Sequence, residues 1–212
     1  MTHKIDVKLP TKWSEVTVAQ YQKLWKVYEA ETEAYQAVRR SIELLGGLEH
    51  GALEQARWQD IESAHATLSW LMSDPDALTM KMPLQNTVVL NGVRYGFIPN
   101  WSMVTVGEFA DLETPTQAGM FDRMEKVLSV LYRPIYLEKG DSYEIELYTV
   151  SPERQKAMLE MPMDVAIGAV LFFCNIEKAL AINMEAYLAN PKKVQRLHRS
   201  IRNGVTTQLS MN

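Results

Sequence analysis

A nine-residue pattern, W-S-x-V-T-V-x-[QE]-[YF], occurs twice in the chain, at Trp13–Tyr21 and at Trp101–Phe109, each time shortly after a proline, Pro10 or Pro99. Both copies obey the same local physics. The proline fixes φ and removes a backbone donor, which closes an extended run, and the tryptophan supplies a large apolar anchor. Thr17 and Thr105 stand where a helix N-cap belongs, and Gln20 and Glu108 follow three residues later, which completes a capping box in each copy. Each unit predicts a strand, a Trp corner and a helix. The repeat says where two helices begin and carries no chemistry of its own.

Hydrophobic residues make up 47% of the 212 positions, enough for one large domain or two small ones. The single cysteine, Cys174, excludes an internal disulfide and a cysteine-built metal site, and points to a reducing compartment. Met1–Asp6 lacks the apolar core of a signal peptide, so cytoplasmic retention is expected. Lys192, Lys193, Arg196, Arg199 and Arg202 follow Pro191 with no acid among them, which leaves the body more acidic than the overall charge of −4. Such an end can contact an anionic partner. The more ordinary reading is a helix C-terminus whose cations complement the macrodipole.

In chain order, His3–Leu9 alternates as a short strand, and the apolar positions from Val18 to Leu45 keep helical spacing until Gly46-Gly47. A second helix is expected over Leu53–Met72, ended by Asp74-Pro75. The segment Ser73–Gln85 is the candidate boundary. Thr87–Leu90 and Val93–Ile98, joined by Asn91-Gly92, predict a β-hairpin with a type I′ turn. The helix of the second Trp unit should stop near Leu112, broken by Thr114-Pro115, before another over Thr116–Tyr132. Tyr136–Tyr148 alternates as extended chain turning at Lys139–Asp141. Ser151-Pro152 then starts a short helix that ends at Met161-Pro162. The last helix, capped by Asp164, contains the run Val165–Cys174, which is too short to span a bilayer, for which about twenty apolar residues are needed.

The familiar catalytic signatures do not occur. His3, His50, His65 and His198 are dispersed without metal-ligand spacing, and Cys174 sits in an apolar run that suits a buried, unreactive thiol. Glu144 and Glu146 share one face of a strand, yet paired acids of this kind are ordinarily solvated surface. No enzyme activity, metal or cofactor is expected. Met158, Leu159, Met161 and Met163 flank a helix break, and methionines can line a groove for a partner's apolar segment or fill a core.

Three runs carry a family likeness: Ile98–Glu113, Val130–Pro134 and Met161–Phe173. Over residues 9–188 the chain resembles small proteins that tailed bacteriophages encode among their virion-assembly genes, often labelled tail assembly chaperones. The resemblance implies a non-enzymatic assembly factor that holds apolar helical segments of a tape-measure protein in the host cytoplasm. The alternative is a structural virion component, internal or at the neck or head–tail connection. No site residue follows from the likeness. The expected fold is mainly α with minor β (α+β), with a β-hairpin and two strand–Trp corner–helix units. It is laid out as an N-terminal helical lobe, 1–76, and a C-terminal lobe, 77–212, or as one compact domain. Expected partners are other phage proteins, with homo-oligomers open, contact of the basic end with nucleic acid minor, and no membrane.

Overall fold

The computed structural model describes residues 6–72, 82–117 and 120–188. Its architecture is mainly helical with one small antiparallel sheet, the fold class expected from the sequence. The chain separates into two compact units, Met1–Val170 and Leu171–Asn212. The boundary expected near residue 76 lies outside the described residues.

In the first Trp unit, Trp13–Glu15 form a single 3-10 turn and Thr17 caps helix α1 (Val18–Ala30). Thr17 Oγ1 accepts from the Gln20 amide at 3.2 Å, and Gln20 Oε1 accepts from the Thr17 amide at 2.9 Å. Trp13 is buried, with its ring 5.1 Å from that of Trp70 and 5.9 Å from that of Tyr21. Among the described residues no strand precedes the corner. Asp6–Leu9, the described part of the expected strand, pairs with no other backbone among the described residues, and the Val7 and Leu9 side chains lie against Gly46.

The single helix expected over 18–45 is two helices, α1 and α2 (Ala34–Leu45), which pack together as a hairpin. Glu29, Glu31 and Glu33 explain the break. Acids are unfavourable at the negative end of a helix dipole, and once Glu31 turns extended it receives Arg40 from α2 in an ion pair. Because the hairpin is short, the inward stripe is narrow. Val18 and Leu24 are buried, while Trp25, expected in the stripe, is 47% exposed and donates to Glu29 Oε1 at 2.9 Å. Helix α3 (Trp58–Leu68) is shorter than expected and ends in the 3-10 turn Ser69–Met72.

The hairpin forms as expected, from β1 (Thr87–Leu90) and β2 (Val93–Phe97), with Asn91 and Gly92 at φ 50° and 80°. The second Trp unit then repeats the first, with a Trp101–Met103 turn and a box in which Thr105 Oγ1 accepts from the Glu108 amide at 3.2 Å. Helix α4 (Val106–Gln117) runs past Thr114-Pro115, which was expected to break it; in the last turn a proline removes one hydrogen bond only. A 3-10 turn, Met120–Arg123, leads into α5 (Met124–Leu131), and β3 (Tyr132–Lys139) follows with no intervening loop. With β4 (Ser142–Ile145) the sheet has the order β1-β2-β3-β4.

One sheet face is core. Tyr95, Phe97 and Tyr132 are buried there, with Phe97 and Tyr132 ring centroids 5.3 Å apart, and Val127, Leu128 and Leu131 of α5 are buried as well. On the other face the Tyr143 ring lies directly on Gly96, where a Cβ would overlap it, and its hydroxyl donates to Phe97 O at 2.8 Å and Asn86 O at 3.0 Å.

Ser151 caps α6 (Pro152–Met158) through a bond from the Arg154 amide at 3.1 Å, as its sequence predicts. The final helix, α7 (Met163–Leu188), starts one residue before Asp164, whose carboxylate accepts from the Val165 amide at 2.9 Å within the first turn rather than capping it. Among the described residues no helix is long and apolar enough to cross a membrane. The starts of α1 and α7 are stitched to each other. Val18 N donates to Met161 O at 3.0 Å and Met163 N donates to Val16 O at 2.9 Å, bridging Thr17 and Pro162. Ala19 N adds a bond to Leu159 O at 2.9 Å, so the first turn of α1 has every amide engaged.

Candidate partner-binding cleft

The methionines of the sequence reading lie in the core: Met158, Met161 and Met163 are each 0% exposed, and only Leu159 of the four is partly exposed. The stitch between the two helix starts explains this, because it draws the 159–163 backbone against Val16–Ala19 and turns the methionine side chains inward. In this conformation they line no open groove. Lys192, Lys193, Arg196, Arg199 and Arg202 lie outside the described residues, as do His3 and His198.

The remaining candidates are each engaged or dispersed. Glu144 accepts from Tyr136 Oη at 2.5 Å and Glu146 approaches Arg154 at 3.7 Å, so the two acids serve different partners. The hydrogen bond to Glu144 pushes the Tyr136 phenol above its ordinary range. Cys174 is half-buried rather than fully buried, and burial pushes its thiol up, away from thiolate chemistry. His50 Nδ1 stands 3.6 Å from Glu43, which also accepts from the Leu53 amide at 3.1 Å. Among the described residues no group of three or more His, Cys, Asp or Glu side chains is placed to hold a metal ion.

A buried polar cluster joins the second Trp unit to the sheet. Glu108 Oε1 meets Arg133 Nη1 at 2.9 Å, with the two side chains 4% and 8% exposed, while Glu108 Oε2 accepts from the Thr105 amide at 2.6 Å. Arg133 also donates to Glu146 O at 3.3 Å, and Arg154 donates to Thr149 O at 3.2 Å. Burial lowers the Arg133 guanidinium, with the Glu108 carboxylate opposing the shift. Tyr148 Oη donates to Asp111 at 2.7 Å, and burial followed by that bond raises its phenol. The carboxylates and guanidinium groups are committed to one another. The cluster locks the segment after β4 to α4 and α6.

Among the described residues an open cleft of about 390 Å³ lies between α1 and α2, lined by Lys23, Lys26, Val27, Ala30, Arg40 and Leu44. Val27 and Leu44 are half-buried and form an apolar floor, while Lys23 and Lys26 are exposed. Lys23 and Lys26 sit three apart on α1 and so share a face with Val27. Arg40 faces them from α2. Such a surface takes the apolar side of a helix in the manner of a helix-in-groove complex.

The cleft is not legible in the sequence, because the periodicity of residues 18–45 predicts one helix and a continuous helix has no hairpin groove. The acids at positions 29, 31 and 33 were the available signal.

No family model, curated protein or solved structure matches the chain.

Proposed function

We propose that this chain is a non-enzymatic assembly factor of a tailed bacteriophage, a tail assembly chaperone that holds apolar helical segments of a tape-measure protein. The observation that supports the reading is the α1–α2 cleft, an apolar floor left uncovered at the side of a helix hairpin and rimmed by cations. A client segment laid there buries apolar surface at roughly 25 cal/mol per Å². The held segment is thereby kept from its neighbours until the tail tube forms around it.

The test is mass spectrometry of purified particles beside infected-cell lysate, joined to co-expression with the tape-measure protein of the same phage. Abundance in lysate, absence from particles and soluble co-purification of the tape-measure protein are the expected results. A fixed copy number in the particle overturns the chaperone reading in favour of a structural virion component. Val27→Asp with Leu44→Asp, which charges the floor at partly exposed positions, should abolish co-purification while the far-ultraviolet circular dichroism stays unchanged.

A further inference from the structure

The rim of the cleft carries charges of one sign. Lys23 and Lys26 have no ion-pair partner among the described residues, and Arg40 is held toward the same space by its pair with Glu31. This stands out on a chain whose formal charge is −4. A protein surface ordinarily intersperses charges of both signs; here Glu31 offsets Arg40, while Lys23 and Lys26 stand one turn apart beside the apolar strip with no acid paired to either among the described residues. On an acidic body, a local positive site also focuses the approach of negatively charged partners.

The spacing narrows the occupant further. The two lysines border the floor on one side, one helical turn apart, and Arg40 borders it on the other. A helix that fills the strip with residues at i, i+3, i+4 and i+7 therefore places its flanking positions over cations on both sides.

Resting on the chaperone reading above, we infer that the α1–α2 cleft selects an amphipathic helix with an apolar ridge bordered by carboxylates. Arg40 exchanges part of its Glu31 pairing for a client carboxylate, while Lys23 and Lys26 acquire partners they otherwise lack. The floor supplies the binding and the rim supplies the choice among apolar helices.

The experiment uses the full chain and two fluorescein-labelled helical peptides with the same leucine ridge, one flanked by glutamates and one by lysines, read by fluorescence anisotropy. The glutamate-flanked peptide should bind about tenfold tighter, a few exposed pairs each contributing modestly. The preference should shrink as salt rises. Lys23→Glu with Lys26→Glu, exposed positions that leave the fold intact, should reverse it. Equal affinity for both peptides, lost on Val27→Asp with Leu44→Asp, overturns the charge selection and leaves the chaperone reading standing. Failure to bind either peptide overturns the cleft as a docking site altogether. A dimer of this chain that dissociates on Val27→Asp assigns the cleft to a second copy and likewise overturns the inference.

Discussion

Glu108 and Arg133 form a buried ion pair at 2.9 Å, and the same carboxylate closes the capping box of the second Trp unit through the Thr105 amide. The equivalent position of the first unit is Gln20, which closes its box without a charge. The difference between the two boxes, Gln20 in one and Glu108 in the other, is thus matched by Arg133, a residue outside the repeat.

Glu108→Gln should keep the box and break the ion pair, as Gln20 demonstrates locally. Leaving Arg133 charged in a site 8% exposed is expected to cost about 3–5 kcal/mol in urea unfolding. Gln20→Glu keeps an oxygen to accept from the Thr17 amide at a half-buried position and should change stability by less than about 1 kcal/mol. Equal effects at the two positions would count against the pair as the source of the difference.

Thr17→Ala removes the hydroxyl that accepts from the Gln20 amide, and an N-cap loss of about 1 kcal/mol is expected. Thr105→Ala should cost more than this. Loosening that box also frees the carboxylate that Arg133 depends on. Denaturant midpoints of the two variants test the order.

Gly96→Ala drives a methyl into the Tyr143 ring and is expected to cost about 1–3 kcal/mol as overpacking. Tyr143→Phe keeps the ring and loses a donor to Phe97 O and Asn86 O, a loss of about 1 kcal/mol. Combining Gly96→Ala with Tyr143→Ala should recover part of the methyl's cost, a coupling that a double-mutant cycle reads directly.

Burial raises the phenols of Tyr132 and Tyr21, and Tyr148 is raised by burial and by its bond to Asp111. A folded-state value above the unfolded 10.0 means that the stabilisation is fully present below pH 10.0 and is lost as pH rises through the folded value. Stability should therefore hold through neutral pH and fall in strong alkali. In a phenolate absorbance titration a late fraction of the tyrosines should ionise together with loss of near-ultraviolet circular dichroism. A titration complete near the ordinary tyrosine range with the fold intact would contradict the burial.

Both Trp corners, their capping boxes, the Asn91-Gly92 hairpin and the Ser151 cap were legible because each is a local arrangement whose signal lies within a few residues, whereas the strand expected before the first corner does not form over Asp6–Leu9. What escaped the sequence depends on distant partners. The break at Glu31–Glu33 is reinforced by Arg40, and β3 follows α5 without a loop because β2 stands ready to pair with Tyr132–Pro134. The methionines near the helix break presented two readings, core or groove, with core the more ordinary, and the bonds from Val18 and Ala19 to Met161 and Leu159 hold them in the core. The candidate cleft was invisible for a related reason. It exists between two helices that periodicity alone joins into one.

The bonds between Val16–Ala19 and Leu159–Met163 also set an order on folding during synthesis. A ribosome that has made only the first half of the chain has made an α1 whose leading amides still lack carbonyls that will be translated near the end. Closing so long a loop is entropically slow compared with local contacts. The nascent N-terminal hairpin therefore waits, partly capped by Thr17 alone, and chains truncated before Leu159 should be the ones that proteases in the cell find first.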